Sequence, residues 1–122
     1  MNYLTIKIPA DGYNLSDFDL PDVIRNNLPR DLSRVEKLII ETLGRMKRKD
    51  EFHLFGKAYN GDSWSSCYGF EIKDDWCVIS AMERGEVYPI TFFYVRDLNS
   101  AARYFVWKVS KGEVEINWEL FL

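Results

Sequence analysis

From residue 50 onward the chain runs in short stretches of aromatic and β-branched residues, interrupted at Asn60-Gly61-Asp62, Lys73-Asp74-Asp75 and Glu83-Arg84-Gly85. That punctuation is the tightest constraint in the sequence. Gly, Asn and Asp supply the left-handed or side-chain-bonded conformations that turns require, while the stretches between them favour a half-buried pleated surface. Strands are therefore expected near residues 51–59, 64–72, 76–82 and 87–95. Each connection is too short for a parallel crossover, so consecutive strands are expected to pair antiparallel. A two-residue turn at Asp74-Asp75 would set Ile72 opposite Cys77 and Cys67 opposite Met82. Glu83-Arg84-Gly85 reads as a second hairpin turn, with Gly85 at positive φ and Arg84 paired to a nearby carboxylate. Pro89 demands an edge, a bulge or a strand start, so the last strand is expected to pair fully only beyond it.

The flanks follow other periods. Residues 3–8 alternate as a first strand, ended by Pro9 and Asp11-Gly12, whereas residues 13–30 carry Pro21, Pro29 and Asn26-Asn27 and leave room for a turn or two of helix. Ser33 and Glu36 have capping-box spacing, and Val35, Leu38, Ile39, Leu43 and Met46 then recur on one face. A helix over residues 31–48 is expected, with Arg45, Lys47, Arg48 and Lys49 complementing its dipole at the last turn. A second helix, capped by Asp97 or Asn99, would bury Leu98, Ala101, Ala102, Phe105, Val106 and Val109 and stop at Gly112. In the tail, Val114, Ile116, Trp118 and Leu120 alternate with Glu113, Glu115, Asn117 and Glu119, the pattern of a strand that buries Trp118. The expected architecture is α+β: one domain spanning residues 1–122, with a long N-terminal helix, a C-terminal helix and an antiparallel meander of about five to six strands. A chain of 122 residues buries roughly two-thirds of its unfolded surface, enough for one core without staples.

Charge narrows the function. The 16 Lys and Arg against 19 Asp and Glu give a net charge of −3. Residues 1–31 carry three basic and five acidic groups, 32–49 six and two, and 50–122 seven and twelve, so the acidity belongs to the strand-rich half. A net acidic face argues against direct nucleic-acid binding. Residues 1–10 lack the apolar core of a signal peptide and the longest apolar run, 90–95, is far too short to span a bilayer, so the expected location is cytoplasmic, with no membrane partner. Cys67 and Cys77 are expected to be free, buried and inert thiols. Two Cys ten apart and a single His lack the spacing of any zinc set, and no cofactor motif is present. Neither is a catalytic motif. His53, the sole histidine, reads as a satisfied sheet residue, and as a general base it would need a second acid or base within hydrogen-bond reach.

What remains is a binding pattern. Asp62, Asp74, Asp75, Glu83 and Glu86 lie in or beside turns, interleaved with Tyr59, Trp64, Trp76 and Tyr88. Aromatic anchors with an acidic rim suit a basic protein surface. Hairpin geometry would gather Asp62, Glu83 and Glu86 at one end of the sheet and Asp74 with Asp75 at the other.

One stretch carries a resemblance. Asp75-Trp76-Cys77-Val78-Ile79-Ser80-Ala81-Met82-Glu83-Arg84-Gly85, then Phe92 or Phe93 and Ala101-Ala102-Arg103-Tyr104-Phe105, resembles the pattern of small bacterial immunity proteins of polymorphic-toxin and contact-dependent growth inhibition systems. It covers residues 64–110 and departs from that pattern at Ala102, where a cysteine is common, and at Pro89. The resemblance implies a cytoplasmic, non-enzymatic monomer or weak dimer that neutralises a cognate toxin domain, commonly a basic nuclease, by blocking its active site or substrate access. Two other classes remain open: a small hydrolase or nuclease using His53, and a self-associating ligand-binding module.

Overall fold

The computed structural model describes residues 31–61 and 66–116. The expected first strand at 3–8, the 13–30 segment, Asp62, Trp64 and Trp118 lie outside them. In chain order the elements are α1 (Leu32–Leu43), β1 (Phe52–Leu54), β2 (Lys57–Tyr59), β3 (Cys67–Lys73), β4 (Trp76–Glu83), β5 (Glu86–Tyr94), a 3-10 turn (Val95–Asp97) and α2 (Leu98–Ser110). The fold is α+β, a five-stranded, mostly antiparallel sheet with two helices.

Helix α1 starts where its cap is. Asp31, in extended conformation, accepts the Ser33 backbone N–H through its side chain at 3.1 Å, so the cap is Asp31 and not Ser33. The helix stops at Leu43, a turn and a half before the expected end, and the run Arg45, Lys47, Arg48 and Lys49 belongs to the loop beyond it. Met46 is still buried. Its place in the apolar pattern reflects a loop folded back on the core and not another helical turn. Asp31→Ala removes the acceptor and is expected to cost about 1 kcal/mol, read from a denaturation midpoint.

The sheet order is β2-β1-β3-β4-β5. The expected 51–59 strand is two strands, folded at Phe55 and Gly56, whose φ angles of 50° and 88° are both left-handed. A lone glycine within a strand pattern is the mark of that bend. Because β2 returns along the outer edge of β1, the chain re-enters on β1's other side and β3 pairs with β1 in parallel. The sheet is thus not a pure meander. Between β3 and β4 the expected register holds: Ile72 faces Cys77 and Cys67 faces Met82 around the Asp74-Asp75 turn.

Pro89 lies on an edge strand beside a bulge, as expected, but pairing is not confined to the residues beyond it. β5 pairs with β4 on both sides of it, from Glu83 opposite Glu86 through Trp76 opposite Tyr94, with a bulge between Ile79 and Ser80 that leaves Ile90 as the extra residue. A two-residue hairpin makes Glu83 and Glu86 the hydrogen-bonded pair, so alternation puts Ser80 and Pro89 at a non-bonded position. The missing Pro89 N–H would have pointed off the sheet edge. Proline costs the ladder nothing there.

The two helices pack together and share one core with the sheet. Helix α2 packs on β3, β4 and β5 and against α1. Residues 98–106 are all buried, including Asn99, Ser100 and Arg103. Phe105 lies edge-on to Phe70 (5.6 Å between ring centroids) and Phe52 (6.1 Å), joining the sheet to the helix at the centre of the core. Arg103 reaches Glu115 at 3.4 Å. Residues 114–116 are not a strand, although Ile116 is buried and Glu115 exposed as the alternation requires.

Candidate functional site

The expected contact residues separate into three groups. Tyr59, Phe52, Tyr68, Ala81 and Tyr88 form one row across all five strands, so Tyr59 and Tyr88 occupy opposite edges of the sheet. At a strand spacing of about 4.8 Å they stand roughly 19 Å apart. Tyr59 is half-buried and stacks on Phe52 at 5.0 Å, a core contact. Trp76, at the far end beside exposed Asp74 and Asp75, stacks on Tyr94 at 4.3 Å, and Arg96 lies over the Tyr94 ring. These rings are therefore largely engaged within the protein.

The third group is the β4–β5 hairpin. Residues 83–90 are exposed without interruption. Side chains alternate between the faces of a strand, so a run exposed at every position is left uncovered on both faces, here along the β5 edge of the sheet and the turn before it. We call this exposed turn and edge the arm; only residues 83–86 extend past the β3–β4 ladder. Along it Val87 is 53%, Tyr88 49% and Ile90 38% exposed. Val87 and Ile90 are contact candidates that the turn-centred pattern in the sequence passed over; the signal available was a Val-Tyr-Pro-Ile run directly after a hairpin turn. Arg84 and Gly85 take φ of 51° and 82°, the double left-handed turn that matches strand twist. Glu83 and Glu86 face each other across it. The Tyr88 hydroxyl donates to the Glu86 carboxylate. That bond, with slight desolvation and the Glu83 charge, raises the tyrosine pKa above its ordinary value. Arg84 makes no ion pair with any described residue, contrary to the expectation for this turn.

Beside the arm, on its β3 side, is an open cleft of about 590 Å³, lined among others by Glu51, Asn60, Cys67, Tyr68, Glu83 and Lys111. Its charges are mixed. Arg48 binds Asp50 at 3.1 Å and the Lys49 ammonium donates to the Gly44 carbonyl.

Neither thiol is built for nucleophilic work. Burial, helped by the Asp97 charge, pushes Cys77 up to about 12, and burial with the Glu51 charge raises Cys67. Both are free. Iodoacetamide at pH 8 is expected to leave Cys77 unmodified in the folded protein and to label it on unfolding, as intact mass will show. Between pH 9 and 12 the unfolded chain gives up its thiol protons first, so the denaturation midpoint should fall across that range. His53 lies on β1 with its Nε2 atom buried and without a hydrogen-bond partner among the described residues. It is not the satisfied sheet residue expected, and among the described residues no carboxylate bonds this atom as a base would require. Among the described residues no cluster of His, Cys, Asp or Glu is arranged to hold a metal ion, and no helix is long and apolar enough to cross a membrane.

Compared with known proteins, the chain matches no family model, no curated protein and no solved structure.

Proposed function

We propose that this chain is an immunity protein which binds a cognate toxin domain in the cytoplasm and neutralises it by blocking its active site or substrate access. The partner is a basic protein, a nuclease in the first instance, and the inhibitor needs neither catalysis nor a cofactor. The reading rests first on the resemblance in residues 75–105. The observation that carries it further is the arm, where apolar side chains and unneutralised carboxylates stand exposed together. A single exposed valine means little, whereas adjacent apolar residues rimmed by charge are what a partner surface uses. Nuclease toxins carry cations where they hold phosphates, so a carboxylate-bearing inhibitor masks the groups the substrate needs.

The test is co-expression with the toxin fragment encoded beside this gene. A complex that survives purification at low salt, with toxin activity abolished at equimolar inhibitor, is the expected result. Failure to co-purify, or a toxin still active in excess inhibitor, overturns the reading.

A further inference from the structure

We infer that the arm of residues 83–90 is the element that enters the partner, docking by its side chains into a cation-lined cleft with apolar walls and not by adding a strand to the sheet. The inference rests on the immunity reading for the partner's identity, but its argument is geometric. An edge strand normally invites another strand through its outward N–H and C=O groups. On β5 the outward position at Pro89 has no N–H, and the bulge at Ile90 breaks the spacing beyond it. Proline and a bulge are two of the devices that discourage pairing along an edge. Side chains remain available on both faces: Val87 on one, Tyr88 on the other, with Ile90 set out by the bulge.

The charge on this surface fixes the partner's sign. Glu83 and Glu86 are directly opposed, an arrangement that destabilises a strand pair when the charges are alike. Neither has an ion-pair partner among the described residues, and Arg84 between them is turned to solvent. A guanidinium or ammonium group brought by the partner relieves that repulsion while Val87 and Ile90 lose water against apolar walls. The tip at Asp74 and Asp75 has equal formal charge but no comparable exposed apolar strip, because Trp76 is stacked on Tyr94. It serves as the internal control.

The experiment uses the full chain, isotopically labelled, titrated with a short arginine-rich peptide and followed by backbone amide shifts. Perturbations should concentrate on residues 83–90, disappear in Glu83→Gln/Glu86→Gln, and persist in Asp74→Asn/Asp75→Asn. Equal perturbation at both tips, or shifts unchanged in the Glu83→Gln/Glu86→Gln protein, overturns the inference. Both variants are exposed and near-isosteric, so the fold is retained. Toxin binding separates the two proposals. If wild type binds the neighbouring toxin fragment while Val87→Ser/Ile90→Ser binds equally well, the arm is wrong and the immunity reading stands. If wild type binds no toxin, the immunity reading falls and the peptide titration still decides the arm. The expected loss for Val87→Ser/Ile90→Ser is on the order of tenfold or more in Kd.

Discussion

Phe105→Ala is expected to cost about 3–5 kcal/mol, enough to consume much of the stability of a domain whose total is on the order of 5–15 kcal/mol. Phe105 has no exposed surface and meets Phe52 and Phe70 edge-on, so its removal empties the joint between the sheet and α2. Collapse into that space is hindered on every side. The strand partners are fixed by the β1–β3 and β3–β4 ladders, and α2 itself packs against both the sheet and α1. Urea denaturation followed by tryptophan fluorescence gives the number. Val87→Ala on the exposed arm is the matched control and should move the midpoint by no more than about 0.5 kcal/mol. A Phe105→Ala protein as stable as wild type would mean that the three-ring contact is not the centre of the core.

The second large effect is kinetic. If the arm meets a cation-lined surface, the association rate with the toxin fragment should fall on the order of tenfold to a hundredfold as salt rises toward about 0.5 M, while dissociation changes little. Reversing the charges with Glu83→Lys/Glu86→Lys should flatten that dependence and slow binding at low salt by a comparable factor. The same reversal at Asp74 and Asp75 should have a smaller effect, since those carboxylates stand at the opposite end of the sheet. Stopped-flow or surface-based kinetics across a salt series resolves both arms. An association rate independent of salt would remove steering from the mechanism even where the complex is tight.

Much of the sheet was legible because turn chemistry is local. Asp74-Asp75 set the β3–β4 register to the residue, and Arg84-Gly85 closed the next hairpin, since a two-residue turn admits few partners for the residues flanking it. The apolar stripe of α2 was equally plain, all six of its expected core residues being buried. The end of α1 was not, because Met46 continues the helical period from a loop. Periodicity records which side chains are buried, not which backbone carries them there. For the candidate site, sequence placed Glu83, Glu86 and Tyr88 together but also nominated Tyr59 and Trp76, whose rings turned out to be stacked within the protein. Ring burial depends on neighbours that spacing along the chain does not name.

Three features belong to the tertiary structure alone. The parallel pairing of β1 with β3 arises from the order in which strands reach the sheet, a choice between two edges that no single segment encodes. The burial of Asn99, Ser100 and Arg103 comes from protein packed on α2's polar face, which an amphipathic pattern alone would give to water. The exposure of residues 83–90 is set by the absence, among the described residues, of any packing partner over them. By itself the sequence determined the strands β3 to β5, the β3–β4 register and the core face of α2, all properties of hydrogen bonds and turns that close within a few residues. Which surfaces were left uncovered was decided only when distant segments packed, because exposure is a property of what lies across from a residue and not of the residue itself.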